Sequence, residues 1–203
     1  GTDSSSKVIL HIGGIYGDKP KAIIRFIDNY SKLDETIKKR LVIENDDKNY
    51  NIEDVLYISK KLDIPVVLDN LHHEINKAKS DKSINEYITE CSKTWKEADG
   101  RQKIHYSQQY ITKNKGAHSK TIKASEFLEF YNTLPHNDLD IMLEVKDKNI
   151  SAVKCILSTT ENFKTEKLEK EWAKYKYYVL GKDQKAYLKI RELLKNKSNI
   201  NTK

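Results

Sequence analysis

IPVVLD (64–69), continued by NLHHEIN (70–76), is the stretch on which the fold turns. The run is short, rich in β-branched residues, and ends in an acid. Such a run reads as a buried parallel strand. Four more have the same character: VILHI (8–12), LVIEN (41–45), KIHYS (103–107) and LDIMLE (139–144). The stretches between them are amphipathic. Asn51, with Asp54 three residues on, reads as a helix start ahead of Val55, Leu56 and Ile58. Ser83 and Glu86 form a similar signal for 83–97, where Ile84, Tyr87, Ile88, Cys91 and Trp95 fall at helical spacing. Helices are also expected near 20–31, 124–132 and 148–158. The order is strand and helix five times over, a parallel α/β architecture. Two amphipathic helices, near 165–180 and 183–196, are expected beyond it with no strand after them. Five strands do not close a (β/α)8 barrel, which typically takes about 250 residues. The sheet is therefore either open or part of a barrel.

The chain has 203 residues, 37 of them Lys or Arg and 30 Asp or Glu, for a net charge of +7. Glycine and proline are too scarce, at 7 and 3, for a collagen-like or low-complexity chain. No apolar stretch approaches the ~20 residues of a membrane span. The polar start GTDSSSK predicts no signal peptide, and cytoplasmic localisation follows as the expectation. Cys91 and Cys155 lack disulfide or metal-type spacing and are expected as small buried hydrophobes on helices. The charge is uneven. Residues 164–203 hold 12 basic and 5 acidic side chains, which leaves 25 of each in 1–163. A basic tail of this kind suits a polyanion such as nucleic acid, and equally a solvated helical surface.

Each strand run carries a metal-capable side chain near its C-terminal end: His11, Glu44, Asp69, His105 and Glu144. In parallel α/β folds those ends form the ligand face. One such residue is usually structural. Five in succession are not, because grouped carboxylates repel and buried charges are costly unless paired or metal-bound. His72 lies three residues after Asp69, and His118 belongs in the loop after the next strand. His73 is expected to aim elsewhere, and His136, which precedes a strand, to fall on the opposite face. Imidazoles and carboxylates without cysteine suit Zn2+ or Mn2+ better than Mg2+. Such a cluster fits attack on a phosphodiester, and fits a sugar isomerase equally.

Taken together, HIGGIYGDK (11–19), LVIENDDKNY (41–50), VVLDNLHHEIN (66–76), KIHYSQQ (103–109), GAHSK (116–120) and DIMLEVKDK (140–148) resemble the UV damage endonuclease family. That family is related to the endonuclease IV type of DNA repair enzyme, and the resemblance runs from about residue 7 to 158. It implies an α/β fold of (β/α)8 TIM-barrel type, this chain covering about five of eight βα units. Residues 1–160 would form the partial barrel and 161–203 its basic helical extension. It implies divalent metal ions, Mn2+ first with Zn2+ or Mg2+ as alternatives, held by His11, Glu44, Asp69, His72, His105, His118 and Glu144. It implies incision 5′ to UV photoproducts and other lesions in damaged double-stranded DNA, by a protein that has no membrane partner. Glu44 and Lys103 are the residues expected to act catalytically. Lys103 shares a strand face with His105 and Ser107. It is expected to meet a DNA phosphate or to be carboxylated, with an ion pair to Glu44 as the structural alternative. Tyr16 and Asn45, in loops after strands, are expected to line the DNA groove or to serve their loops. The earlier strands of the family, with one more ligating His and the lesion-probing residues, have no counterpart here. A missing N-terminal segment or another copy is therefore expected to complete the barrel. A sugar-isomerase-like barrel and a non-catalytic DNA-binding fragment are the other readings.

Overall fold

The computed structural model describes residues 3–159. The two helices and the basic extension expected after residue 160 lie outside these residues. The chain divides into two compact units, Gly1–His118 with Leu134–Glu144, and Ser119–Thr133 with Val145–Lys203.

The first unit holds five parallel strands: β1 (Val8–His11), β2 (Leu41–Glu44), β3 (Val66–Asp69), β4 (Gln102–Tyr106) and β5 (Leu139–Leu143). Their order in the sheet is that of the sequence, β1-β2-β3-β4-β5. A doubly wound sheet reverses its order at a switch point, and a (β/α)8 barrel does not. Glu44 pairs with His11 on one side and Val67 on the other, and Asp69 pairs with His105. This register brings the chemistry-bearing ends level.

Helices α1 (Lys19–Ser31), α3 (Ile52–Leu62) and α5 (Ile84–Ser92) match the sequence pattern. The capping boxes at Asn51 and Ser83 both form. The core lies between the middle strands and the helix faces. Val42, Ile43, Val66, Val67, Leu68 and Ile104 are fully buried, with Ile52, Val55 and Ile58 of α3. Each such side chain contributes roughly 1.5–3 kcal/mol. The Asn51 side chain accepts from the N–H groups of Glu53 and Asp54. Asn51→Ala is therefore expected to lower unfolding stability by about 1 kcal/mol, measured by urea denaturation. An unchanged midpoint would show the cap to be dispensable.

Three expectations change. The helix expected over 83–97 ends at Ser92. Thr94 and Trp95 leave it to bond Val66 instead: Thr94 Oγ1 accepts from the Val66 N–H, and the Trp95 indole donates to its carbonyl, both at 2.9 Å. The pattern missed two short helices, α2 (Glu35–Lys38) and α4 (Asn70–Ile75). Finally, burial on both faces holds for β2 and β3 but not for β1 and β5, where Val8 is 50% and Met142 42% exposed. These two are edge strands, and among the described residues no strand pairs with their outer edges.

The second unit packs α6 (Ala124–Thr133) against α7 (Asn149–Ser158). Ser151 ties it together: its hydroxyl donates to Asp147 Oδ1 at 2.6 Å and accepts from the Ile122 N–H at 2.9 Å. Cys91 on α5 and Cys155 on α7 are each buried, as expected. No helix among the described residues is long and apolar enough to cross a membrane.

Candidate metal centre

All seven expected ligands lie in the first unit, and the structure brings them together. Glu44 sits at the middle, only 2% exposed. Its Oε2 lies 3.5 Å from His11 Nε2, and its Oε1 lies 2.8 Å from His105 Nδ1 and 3.9 Å from His72 Nδ1. Glu144 Oε1 lies 3.1 Å from the same His105 nitrogen, and its Oε2 lies 3.5 Å from His118 Nδ1. The His72 ring stands between those of His11 and His118, with centroids 5.7 and 6.3 Å away. Two triads, Glu44–Asp69–His72 and Glu44–His105–Glu144, each offer three ligand atoms within 4.8 Å of one another.

The local sequence explains the placement. Asp69 ends β3 and also caps α4, its Oδ1 accepting from the His72 N–H at 2.7 Å. That cap turns His72 back over the strand end and leaves Asp69 Oδ2 buried without a hydrogen bond. Glu44 Oε1 and both nitrogens of His105 are likewise buried without one, although the carboxylates crowd His105. Close approach without hydrogen-bond alignment is what groups facing a shared cation show. Buried polar atoms are otherwise nearly always bonded. This donor set of carboxylates and imidazoles fits a divalent metal.

The electrostatics agree. Burial pushes the Asp69 carboxyl above the usual carboxylate range, against His72, which lowers it. Burial opposes the charge on His105, but Glu144 and Glu44 outweigh it and push it up to about 10. His72 is raised in the same way: burial opposes its charge, and Asp69, the Asn45 carbonyl and Glu44 prevail. His105 beside Glu144 holds that carboxyl low, against partial burial. The site attracts positive charge, and in the metal-free protein protons supply it.

The chain spans about half the length of the curated relatives that it matches. The family model of UV-endonuclease UvdE matches residues 2–175. The chain belongs to the UV-endonuclease UvdE family. It is 46% identical over 198 residues to a UV DNA damage endonuclease of Clostridium perfringens, an alignment covering 96% of this chain and 48% of the relative. A UV DNA damage endonuclease of Bacillus mycoides is 36% identical over 169 residues, 81% of this chain and 52% of the relative. The crystal structure of SacUVDE superposes with a TM-score of 0.67 at 40% identity, covering 81% of this chain and 51% of that one. That likeness and the unreversed strand order make this UvdE-family chain an α/β protein of TIM-barrel type.

The other expected site residues sit differently. Lys103 does not meet Glu44. Its ammonium pairs with Asp140 of β5 at 3.2 Å and lies over the Trp95 ring, 5.5 Å from the centroid. The reason is register: Lys103 is opposite Asp140 at the start of the β4–β5 ladder, two residues before His105. Asn45 does not reach a groove; it is fully buried. Its side chain bonds the Asp69 backbone twice, Nδ2 donating to the carbonyl at 3.1 Å and Oδ1 accepting from the N–H at 2.9 Å. Tyr16 is 85% exposed. It has a positive φ of 48°, and the Arg25 guanidinium lies over its ring, 5.0 Å away. Arg25, which the sequence reading missed, also donates to the Gly14 carbonyl at 3.0 Å and so supports the loop. As expected, His73 turns away, edge-on to Tyr87, and His136 lines a cleft with Trp95, Arg101 and Asp138, by the start of β4.

Proposed function

We propose that this chain carries the greater part of the metal centre of a DNA repair endonuclease that incises DNA 5′ to UV photoproducts and other lesions. The observation that carries the reading is the trio of buried polar atoms without a hydrogen bond, Glu44 Oε1, Asp69 Oδ2 and His105 Nδ1, in a chain whose relatives are named UV DNA damage endonucleases. His11, Glu44, Asp69, His72, His105, His118 and Glu144 would hold divalent cations, Mn2+ in first place. When bound, such ions supply Lewis-acid charge to a phosphodiester and acidify water.

This chain's own residues do the rest. Glu44, between His11, His72 and His105, is the carboxylate shared by both triads and the one on which the centre depends. Lys103 ties β4 to β5, the strands that bring up His105 and Glu144. Tyr16, held out by Arg25, offers a flat face to an unstacked base, a contact generally worth about 1–3 kcal/mol. Lys113 and Lys115, exposed between β4 and His118, would hold phosphates. Another polypeptide segment covers the outer edges of β1 and β5, which would otherwise invite pairing.

The test is nicking of UV-irradiated plasmid by the full-length protein loaded with Mn2+. Lesion-dependent relaxation is expected, with binding that weakens as salt rises, by a log–log slope of about −0.9 per phosphate contact. Equal nicking of irradiated and untreated plasmid would remove the lesion specificity. No nicking at all, with metal bound, would return the isomerase reading.

A further inference from the structure

The main-chain pairing between β2 and β3 stops at Glu44 and Val67. Beyond it the strands carry their acids into the centre, and something other than the ladder must hold them in register. Asn45, the residue after Glu44, takes that place. Its side-chain amide presents one donor and one acceptor to the carbonyl and N–H of Asp69, as a peptide unit of a neighbouring strand would. The ladder is thus extended by one rung without using any carboxylate. The next strand end repeats the device: Asn70, the residue after Asp69, donates to the Ser107 carbonyl at 3.0 Å and accepts from its N–H at 2.7 Å.

Asn45 makes a further contact that Asn70 does not. Its backbone carbonyl lies 2.9 Å from His72 Nδ1. A carbonyl only accepts, so Nδ1 carries the proton and donates. In the neutral ring that a metal requires, Nε2 is then the nitrogen with the lone pair. Fixing the far nitrogen of an imidazole in this way selects the tautomer and the orientation of a ligand. One buried residue therefore touches the peptide of Asp69 and the ring of His72, and is bonded in sequence to Glu44.

We propose that Asn45 is a positioning residue of the metal centre. It sets Asp69 through its amide and His72 through its carbonyl, without contacting the ion. The proposal rests on the metal-centre reading above. Outer partners of this kind generally change metal affinity by about 10–100-fold.

The test uses the full-length protein, stripped of metal and titrated with Co2+, whose visible absorption reports both affinity and coordination geometry. Asn45→Ala is expected to bind at least tenfold more weakly, with an altered spectrum. The comparison variant is Gln102→Ala, which removes a buried amide that donates to the Ile88 carbonyl at 2.9 Å at the opposite end of β4. It is expected to lose stability but to keep the wild-type affinity and spectrum. Wild-type binding by Asn45→Ala, or an equal loss in Gln102→Ala, overturns the proposal. Failure of the wild type to bind Co2+ overturns the metal-centre reading itself and is thereby distinguished. If Asn45→Ala does not fold, 15N spectra of the histidine rings in the Zn2+-loaded wild type decide instead. Protonated Nδ1 with metal at Nε2 of His72 is expected, and metal at Nδ1 overturns the proposal.

Discussion

Glu44→Gln in the full-length protein is expected to lower incision of UV-irradiated plasmid by at least about 10²–10³-fold, on the order seen when a preorganised charge-stabilising group is lost. The amide keeps the shape of the side chain but removes the charge that faces His11, His72 and His105 at once. Metal occupancy falls with it, because Glu44 belongs to both triads. The fold survives: Glu44 lies at the end of β2, and the register of β2 with β1 and β3 is made by main-chain bonds. Three readouts check this: nicking rate, metal content by elemental analysis, and the thermal midpoint. Glu144→Gln is expected to act in the same direction, through the loss of its contacts to His105 and His118. Wild-type nicking by either variant would remove that residue from the centre.

Affinity for a divalent cation is expected to fall about tenfold for each unit that the pH is lowered from 9 to 7. The cause is His105, which burial would keep neutral but which Glu144 and Glu44 push up to about 10. A cation joining these carboxylates must displace that proton, and below the folded value each added unit of acidity makes displacement tenfold harder. The sign for stability is opposite in the metal-free protein. A raised histidine contributes its stabilisation fully below its unfolded value of about 6.5 and loses it as the pH climbs through the folded value. Metal-free protein is therefore expected to melt at a lower temperature at pH 10 than at pH 7, and metal-loaded protein to be spared that loss. Calorimetric titration in two buffers of different ionisation enthalpy counts the released protons. Affinity independent of pH between 7 and 9 would show that His105 is neutral in the metal-free site.

Taken alone, the sequence determined the local elements and the ligand types. Short runs rich in β-branched residues favour buried strands over helices, and the caps at Asn51 and Ser83 set where helices start. A charged or imidazole residue near the end of each run was legible for the same reason: period and burial leave such residues few places to be. The resemblance of the spaced motifs then chose phosphodiester chemistry over the sugar isomerase, which the ligand types could not do.

Tertiary structure decided what depends on partners distant in the chain. An open sheet and a barrel share one strand-and-helix pattern; the unreversed order β1 to β5 and the likeness to SacUVDE separate them. Edge exposure of β1 and β5 is a matter of who stands beside a strand, not of its composition. Lys103 went to Asp140, 37 residues on, because strand register and not side-chain type selects the ion-pair partner. Asn45 read as a polar loop residue fit to touch DNA, since asparagine in a loop is usually exposed. Pairing with the Asp69 peptide, 24 residues away, buries it and turns it inward. An asparagine directly after a strand-end acid occurs twice, at Glu44-Asn45 and Asp69-Asn70. That was the one trace of the arrangement in the sequence, and it acquires meaning only when adjacent strand ends are brought within hydrogen-bonding distance.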